Sequence, residues 1–326
     1  GNILFLLGWL FFRSKWALLP LLTLLLSFSN MRALIGFHFK KKFVQNKDAH
    51  SLRILSWNVR WFDGQTKPDH REHSRRPQMF EFLRRQDADV LCFQEYLASA
   101  PGSSAGEGIV EQLEHMGYVH HFIVRDYSLR GGIYQAGVAI FSRFPLTDTQ
   151  RLQYPGPLSD RAAESLISAD IEFRGQKIRI FTTHLQSWQL RAKDYHDLQI
   201  IRNAEDSLID ASRSILRKFK LAYSYRGYQA DLVRQEADQS PYPVILCGDF
   251  NDVPNSYTYF HIRGNRLDAF VAEGAGIGRT YAGLSPTLRI DYILADSVFR
   301  VLQYRRSSVP YSDHFPVLAD LTLPQD

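Results

Sequence analysis

Short apolar runs recur through this chain, and they constrain its fold more than any other feature of the sequence. Each run is four to eight residues long, is rich in β-branched and aromatic residues and is bounded by turn-forming residues, which is the pattern of buried strands. The runs lie at residues 52–57, 90–93, 138–141, 166–173, 177–183, 244–247, 289–294 and 315–321. Arg174 and Gly175 separate two of the runs and predict a hairpin turn. The sequence therefore predicts a sheet-rich core.

Apolar residues with the spacing of a helix lie between these runs. They occur around Met79, Phe82 and Leu83, and again over residues 198–219. Helices mixed with strands, including a hairpin, predict a layered α/β domain. Because residues 49–326 contain no repeat, low-complexity tract or long linker, we expect them to form one domain.

The first 48 residues differ in composition from the rest. Residues 3–12 and 16–28 are almost entirely apolar. Seven basic side chains and one acidic side chain fall in residues 1–48, whereas residues 49–326 hold 32 basic and 33 acidic ones. The net charge of +5 and the pI near 9.1 therefore come from the N-terminal segment. They do not indicate a nucleic-acid-binding surface on the remainder of the chain.

We interpret residues 1–48 as a membrane anchor with a basic juxtamembrane stretch. A transmembrane helix needs about 20 apolar residues to cross roughly 30 Å of hydrocarbon, and each apolar run is shorter than that. One helix through both runs would place Arg13 and Lys15 near the bilayer centre, which is unfavourable. We therefore expect residues 3–12 to end a span that begins upstream and a second span to run from Trp16 to about Asn30. The expected contact with the lipid bilayer covers residues 1–37.

Two other interpretations of this segment remain. A signal peptide would require a small-residue cleavage pattern after Phe28, and an amphipathic surface helix would require a polar face that residues 18–26 do not provide. The expected localisation is an integral membrane protein. Lys40, Lys41, Lys42 and Lys47 favour the cytoplasmic face for the domain that follows, whereas Arg13 and Lys15 oppose that orientation.

Polar side chains that can carry chemistry cluster at the ends of the predicted strands. A sheet protein exposes a site at strand ends without burying charge in its core. Taken singly, each of these residues is also explained as a turn or loop residue. They are Asn58, Glu95, His184, Asp249, Asn251, Asp291, Asp313 and His314.

Six short motifs contain these residues. In chain order they are Trp57-Asn58-Val59, Phe93-Gln94-Glu95, Thr182-Thr183-His184-Leu185, Gly248-Asp249-Phe250-Asn251, Arg289-Ile290-Asp291-Tyr292 and Ser312-Asp313-His314. Together they resemble the endonuclease/exonuclease/phosphatase superfamily of Mg²⁺-dependent phosphoesterases, and the chain resembles a membrane-anchored member of bacterial type. The resemblance covers residues 52–323. It implies an α/β fold, the four-layer αββα sandwich of DNase I, preceded by one or more N-terminal transmembrane helices.

The resemblance also implies a metal site. Mg²⁺ prefers carboxylate and amide oxygens together with water. Glu95 is the expected principal ligand, with Asn58 and Asp313 close to the metal. Mn²⁺ is expected to substitute for Mg²⁺.

The remaining residues receive catalytic roles from the same resemblance. Asp249 would orient or deprotonate the attacking water, and Asn251 would hold that water or a phosphate oxygen. His314 and His184 would donate hydrogen bonds to the phosphoryl group as charge develops on it. Asp291 would fix the tautomer of His314 and raise its basicity. Asn58 would assist from beside the metal.

The substrate is less constrained by the sequence. The histidine at position 184 departs from the abasic-site endonucleases, which usually carry tyrosine there, and a nearly neutral domain provides no general field for duplex DNA. We expect a membrane-anchored, Mg²⁺-dependent hydrolase of a phosphodiester, whose partner is a nucleic acid or a lipid or small phosphoester. The alternatives are a phosphomonoesterase or a phospholipid or sphingomyelin headgroup hydrolase. A catalytically silent, membrane-tethered binding module is the alternative from another class.

Overall fold

Two β-sheets pack face to face, and helices cover their outer surfaces. This architecture comes from a computed structural model that describes residues 1–39, 42–63, 74–98, 108–129, 134–155, 163–188, 208–283, 285 and 287–324. Within these ranges, the side chains of residues 129, 134 and 208–215 are not described.

The strands and helices follow one another in mixed order. The described strands are β1 (Gly36–Phe37), β2 (Leu52–Asn58), β3 (Val90–Ala98), β4 (His120–Ile123), β5 (Tyr127–Leu129), β6 (Tyr134–Ser142), β7 (Thr147–Leu152), β8 (Glu164–Phe173), β9 (Gln176–His184), β10 (Val244–Asp249), β11 (Leu267–Asp268), β12 (Ala275–Gly276), β13 (Asp291–Ala295), β14 (Arg300–Arg306) and β15 (Val317–Thr322). The described helices are α1 (Asn2–Phe11), α2 (Leu18–Leu26), α3 (Phe28–Leu34), α4 (Arg76–Gln86), α5 (Ile109–His115), α6 (Leu208–Asp238), α7 (Tyr257–Arg263) and α8 (Ala269–Glu273).

Among the described residues, one sheet has seven strands and the other has six. The seven-stranded sheet has the order β14-β15-β2-β3-β6-β4, with β5 paired to β6, and the six-stranded sheet has the order β11-β13-β10-β9-β8-β7. The pairs β2–β3 and β9–β10 are parallel, so the carboxyl ends of these strands lie at the same edge of their sheets. Each sheet thus presents two consecutive strand ends on which site residues can meet.

The core between the sheets explains the apolar runs. Ile54, Cys92 and Ile140 from the seven-stranded sheet share one buried cluster with Ile180 and Cys247 from the six-stranded sheet. Because helices cover the opposite faces, alternate residues of these strands are buried as well, which produces continuous apolar runs instead of an alternating pattern.

The outer faces complete a four-layer αββα sandwich. Leu55, Trp57 and Phe93 point from the seven-stranded sheet into a second cluster that contains Met79 of α4 and Leu113 of α5. A third cluster joins the outer face of the six-stranded sheet to the two helices that flank β10. Its members include Phe181, Leu246, Leu294, Ala230, Val233, Tyr259 and Ile262. The predicted layered α/β class is confirmed.

The predicted hairpin and helices are also present. Arg174 and Gly175 connect β8 to β9 with φ angles of 55° and 77°, the left-handed conformation that a tight hairpin turn requires. The helix predicted over residues 198–219 is observed from Leu208 and continues to Asp238. Leu198 and Ile201 lie outside the described residues.

The N-terminal segment is helical, and its apolar side chains are largely exposed. Among the described residues, no single helix is both long enough and apolar enough to cross a bilayer. The segments Lys15–Leu26 and Phe28–Leu34 together reach that length and composition, but the chain bends by 53° between them. The continuous second span expected from Trp16 to about Asn30 is therefore interrupted at Ser27.

The end of this segment packs against the sandwich. Arg289 donates a hydrogen bond from Nη2 to the backbone oxygen of Ala33 at 2.6 Å, and β1 pairs with β12. Further along, Arg53 donates to the backbone oxygen of Gln45 at 2.8 Å, and Lys47 pairs with Asp89. The division into residues 1–48 and 49–326 stays a prediction. Lys40 and Lys41 of the predicted basic stretch lie outside the described residues.

Candidate functional site

Four polar residues form a row across one edge of the six-stranded sheet. Glu164 is opposite His184, His184 is opposite Asp249, and Asp249 is opposite Asp291, on the adjacent strands β8, β9, β10 and β13. All four side chains are buried. The register of the sheet therefore brings together residues that are up to 127 positions apart in the sequence.

The second sheet contributes Asn58 and Glu95 to the same place. Asn58 Nδ2 donates hydrogen bonds to Glu95 Oε1 at 3.2 Å and to Asp249 Oδ2 at 3.1 Å, so this amide links the two sheets. Glu95 interrupts the pairing of β3 with β6 and has a φ of 48°, an uncommon conformation for a residue other than glycine. This bulge turns its carboxylate toward the strand ends. Strained backbone of this kind is concentrated at functional sites.

His314 is held by Asp291. His314 Nδ1 lies 3.0 Å from Asp291 Oδ2 and 3.1 Å from Oδ1, and its Nε2 lies 3.6 Å from Asp249 Oδ2. Burial alone would lower the pKa of His314, but the charges of Asp291 and Asp249 outweigh burial and raise this pKa to about 10. The ring is therefore an imidazolium at neutral pH, with Nε2 directed at Asp249.

His184 repeats this arrangement from the other side of Asp249. Its Nε2 lies 3.6 Å from the same oxygen, Asp249 Oδ2, and its Nδ1 lies 3.3 Å from Glu164 Oε2. Burial lowers the pKa of His184, but the charges of Glu164 and Asp249 outweigh burial and raise it to about 9. Two histidines, each backed by a buried acid, thus converge on one carboxylate oxygen.

Glu164 is a site residue that the sequence motifs missed. Besides contacting His184, its Oε2 accepts a hydrogen bond from the backbone N–H of Glu95 at 2.9 Å, so it supports both sides of the site. It is fully buried, and its Oε1 has no hydrogen-bond partner. The one feature of the sequence that could have identified Glu164 as a site residue is its position just before the apolar run at 166–173. A glutamate at the start of a buried strand does not contribute to apolar packing.

Asp249 is the residue on which these contacts converge. Burial raises its pKa, and the nearby charge of Asp291 raises it further, whereas His314 and His184 lower it. Asn251 has a φ of 51°, donates from its backbone N–H to Asp249 Oδ1 at 2.9 Å, and donates from Nδ2 to the backbone oxygen of Leu185 at 3.0 Å. Asp249 is therefore fixed at both oxygens in a buried site.

The segments that follow His184 and Asn251 are held by side chains of α6. Arg226 donates from Nη1 to the backbone oxygen of Gln186 at 2.9 Å and from Nε to Asp252 at 3.2 Å. Gln229 accepts a hydrogen bond from the backbone N–H of Gln186 at 2.9 Å. Arg226 is fully buried, so these hydrogen bonds are shielded from water.

Asp313 lies at the outer side of the site. Its side chain is 34% exposed, and its Oδ2 lies 3.7 Å from Nε of Arg60. Ser312 connects this loop to the strand end, because its hydroxyl donates to the backbone oxygen of Asn58 at 2.8 Å and accepts from the backbone N–H of His314 at 3.2 Å.

The donor set fits a hard divalent cation. Burial raises the pKa of Glu95, and the neighbouring charges of Glu164 and Asp313 raise it further, whereas the charges of His184 and His314 lower it. Glu95 and Asp313 offer carboxylate oxygens for a cation. Asp249, Asp291 and His314 also each offer one donor atom within 4.8 Å of one another. Because Asp291 and His314 are engaged with each other, we regard Glu95 and Asp313 as the better ligands.

Asn58 is oriented differently from the expectation for a metal ligand. It presents its amide nitrogen to the two carboxylates, and its Oδ1 accepts a hydrogen bond from the backbone N–H of Arg60 at 3.1 Å. In this orientation, Asn58 positions Glu95 and Asp249. It would become a ligand only after the amide rotates by half a turn.

The structure thus brings all eight predicted site residues to one edge of the sandwich, and it adds Glu164. A family model described as the endonuclease/exonuclease/phosphatase family matches residues 55–314, which include all nine. The chain belongs to the endonuclease/exonuclease/phosphatase family. The prediction of a hydrolase acting on phosphoester bonds is confirmed at the level of the family.

Similar proteins agree with this membership. The chain is 27% identical over 227 residues to protein angel homolog 2 of Danio rerio, a match that covers 68% of this chain and 34% of that protein. The corresponding protein of Mus musculus is also 27% identical, over 253 residues covering 72% of this chain and 40% of that protein. The chain therefore spans 34–40% of the length of these relatives.

Three solved structures share the fold of this family. An endonuclease/exonuclease/phosphatase from Beutenbergia cavernae has a TM-score of 0.61 at 22% identity, covering 84% of this chain and 72% of that one. The human Nocturnin catalytic domain with bound sulfate has a TM-score of 0.60 at 18% identity, with coverage of 89% and 99%. D. rerio TDP2 complexed with a single-strand DNA product has a TM-score of 0.55 at 18% identity, with coverage of 84% and 100%.

Proposed function

We propose that this protein is a membrane-anchored, Mg²⁺-dependent hydrolase that cleaves a phosphodiester by attack of water. One observation carries the proposal. His184 and His314, each backed by a buried acid, direct Nε2 at the same oxygen of Asp249, and Glu95 lies beside them. A domain that only binds has no physical need for this combination.

Each residue has a role that follows from its surroundings. Asp249 orients the attacking water and accepts its proton, because burial raises the pKa of this carboxylate toward that of a useful base. The charged rings of His184 and His314 donate hydrogen bonds to the phosphoryl oxygens as negative charge develops there. Asn251 holds the water or a phosphate oxygen. Glu95 and Asp313 would hold Mg²⁺, which would supply polarisation of the phosphoryl oxygen and stabilisation of the leaving oxygen.

A phosphodiester within a nucleic acid is the substrate we favour. The Nocturnin structure with sulfate and the TDP2 structure with a single-strand DNA product have the same fold, which supports a site that accepts phosphate-like anions and strands. In the described part of the chain, the cations that form ion pairs with the site acids are two buried histidines and Arg60, and this small number suits a single strand better than a duplex.

A substrate panel tests this function. The purified chain is assayed with Mg²⁺ or Mn²⁺ on bis(p-nitrophenyl) phosphate, p-nitrophenyl phosphate, single- and double-stranded nucleic acids, sphingomyelin and inositol phosphates. We expect diester cleavage that EDTA abolishes. If no phosphoester is cleaved, the protein is a binding module and the proposal is wrong.

Variants test the site. Glu95→Gln, Asp249→Asn and His314→Ala are each expected to reduce turnover by roughly 10²- to 10⁴-fold, the usual contribution of a positioned acid, base or electrostatic group. Glu172→Gln is the matched control, because Glu172 is an exposed acid near the hairpin end of β8, far from Glu164. Turnover by the three site variants equal to that of Glu172→Gln would contradict the assignment.

Anchoring in a membrane is the second part of the proposal. Leu4, Phe11 and Leu26 are 74%, 81% and 77% exposed, although water disfavours such a surface. We propose that a bilayer covers it, with the hydrolase domain on the cytoplasmic face beside Lys42 and Lys47. After expression in bacteria, alkaline carbonate extraction should leave the protein in the membrane pellet, whereas the double variant Leu22→Arg/Leu25→Arg should be released. Release of the unmodified chain would refute integral anchoring.

The orientation is tested separately, by adding protease outside intact spheroplasts. Digestion of the hydrolase domain would refute its placement on the cytoplasmic face.

The same apolar surface favours one second candidate, a lipid phosphodiester. An anchored enzyme meets lipid headgroups at a high local concentration. In the substrate panel, faster cleavage of sphingomyelin in vesicles than of any nucleic acid would establish that candidate in place of the first.

A further inference from the structure

The turn Arg60–Asp63, directly after Asn58, has a left-handed backbone at four consecutive positions. The φ angles of Arg60, Trp61, Phe62 and Asp63 are 43°, 60°, 48° and 57°. L-residues other than glycine avoid this conformation because Cβ approaches the following carbonyl oxygen. A run of four persists only where the surroundings hold it, and such places are enriched at ligand sites.

Contacts on both sides hold this turn. The ring of Phe62 is fully buried and stacks on Phe80 with ring centroids 5.5 Å apart. Arg76 donates from Nε to the backbone oxygen of Phe62 at 3.1 Å. Trp61 Nε1 donates to the hydroxyl of Tyr127 at 3.0 Å. The turn is therefore fixed to α4 and β5 by contacts that do not involve the side chain of Arg60.

The conformation places Arg60 at the rim of the site. Its side chain is 58% exposed, and its Nε lies 3.7 Å from Asp313 Oδ2, beyond hydrogen-bond distance. In the described part of the chain, the other ion pairs of the site acids are made with histidines. Arg60 thus supplies a permanent, outward-facing positive charge beside the catalytic centre.

We propose that Arg60 forms a phosphate subsite that binds the phosphate next to the scissile one in a nucleic-acid strand. The scissile phosphate itself belongs between His184, His314 and Asp249, and Arg60 lies on the outer side of Asp313. A guanidinium matches the geometry of a phosphate and binds it through two parallel hydrogen bonds. A strand offers a phosphate on each neighbouring nucleotide, whereas a headgroup diester such as that of sphingomyelin has only one. The inference rests on the proposed phosphodiesterase function and specifies its substrate class.

The test compares a substrate that has neighbouring phosphates with one that has none. Wild type, Arg60→Ala and Arg60→Lys are assayed on a single-stranded oligonucleotide and on bis(p-nitrophenyl) phosphate, with Mg²⁺ or Mn²⁺. We expect Arg60→Ala to lower kcat/KM for the oligonucleotide roughly 10- to 100-fold more than for bis(p-nitrophenyl) phosphate, mainly through KM. Arg60→Lys should retain part of the oligonucleotide activity, because the charge remains and the two-bond geometry is lost.

Salt dependence provides a readout that a structural role would not change. The slope of log(kcat/KM) for the oligonucleotide against log salt concentration should be shallower by about 0.7 in Arg60→Ala, as one phosphate contact fewer predicts. Arg300→Ala is the control, because Arg300 is exposed and pairs with Thr322 at the end of the sheet that is far from the site. It should leave both the rate and the slope unchanged.

Three outcomes would overturn the inference. Equal losses on both substrates with an unchanged salt slope would mean that Arg60 acts only on Asp313. Fluorescence anisotropy measures oligonucleotide binding without metal. If Arg60→Ala binds the oligonucleotide as tightly as wild type, the subsite is excluded, even if no turnover is detected. If wild type cleaves sphingomyelin but neither binds nor cleaves the oligonucleotide, the substrate is not a nucleic-acid strand, although the protein is still a phosphodiester hydrolase. Loss of all phosphoester cleavage by wild type is the separate failure of the proposed function.

Discussion

Replacing Asp291 with asparagine should separate the charge of this residue from its role in orienting His314. Asp291 oxygens lie 3.0 and 3.1 Å from His314 Nδ1, and both side chains are buried. The amide oxygen of asparagine can still accept a hydrogen bond from Nδ1, so the ring should keep its orientation while it loses the facing negative charge. Two unit charges about 4 Å apart interact by about 4 kcal/mol at an effective dielectric constant of 20. This energy corresponds to roughly 3 pH units in the pKa of His314.

The sign of the effect on activity follows directly. The pKa of His314 is raised to about 10, so wild type keeps its imidazolium, and the activity that depends on it, until the pH rises toward that value. In Asp291→Asn the pKa falls, and activity should be lost at a pH roughly 2 to 3 units lower. Below the lowered pKa, the variant should approach the wild-type rate.

The assay is kcat/KM for bis(p-nitrophenyl) phosphate across the neutral to alkaline range. Asp291→Ala removes both the charge and the orienting oxygen, and should reduce the rate by about 10- to 100-fold at every pH, as is usual when a histidine loses its supporting partner. Glu172→Gln serves as the control for a remote loss of charge. If Asp291→Asn showed the wild-type pH profile at a uniformly lower rate, Asp291 would act through orientation alone and the electrostatic reasoning would be wrong.

Three further changes test other parts of the structure. Glu164→Gln removes a charge that raises the pKa of His184 and should lower kcat/KM by about 10- to 100-fold; a rate equal to that of Glu172→Gln would exclude Glu164 from the site. Arg60→Gly removes the strain of one left-handed residue and should stabilise the fold by about 1 kcal/mol, measured as a higher Tm. Oligonucleotide cleavage should fall in the same variant. A lower Tm would show that the turn is unstrained at this residue. Gly248→Ala places a Cβ 2.2 Å from the backbone oxygen of Thr183 and should destabilise the protein by about 1–3 kcal/mol. Denaturant unfolding measures this loss. Unchanged stability would mean that β9 and β10 can separate without a loss of stability.

Local pattern was sufficient to predict the strands that carry the site. Buried strands covered on both faces give continuous apolar runs, and the polar residues that end them are visible in the sequence, as with His184 at the end of β9 and Asp249 at the end of β10. Pairing of β9 with β10 then follows from the fold, because parallel neighbours bring the same ends together. Local pattern placed these polar residues at strand ends, and the resemblance of the six motifs to the family then identified them as site residues.

Other features depend on long-range register or backbone conformation, which local pattern does not encode. Glu164 contacts His184 only because a register shift in the pairing of β8 with β9 places them opposite each other. The four left-handed residues from Arg60 are not glycines, so turn propensity gives no signal for them. The amide orientation of Asn58 depends on carboxylates from two different sheets. Each of these features is decided by tertiary contacts.

The charge balance of the site gives an independent reason to expect a divalent cation. Among the described residues, the site contains five acids, Glu95, Glu164, Asp249, Asp291 and Asp313. Only three cationic groups form ion pairs with them, His184, His314 and Arg60. The raised pKa values of Glu95 and Asp249 reflect burial together with this excess of negative charge, and one divalent cation would offset two charges. A ligand that binds only the folded state stabilises it, by about 2.7 kcal/mol at a hundred times its Kd. Mg²⁺ should therefore raise the Tm of wild type in a saturable way, and the increase should be smaller in Glu95→Gln and unchanged in Glu172→Gln. An equal increase in all three proteins would place the cation elsewhere.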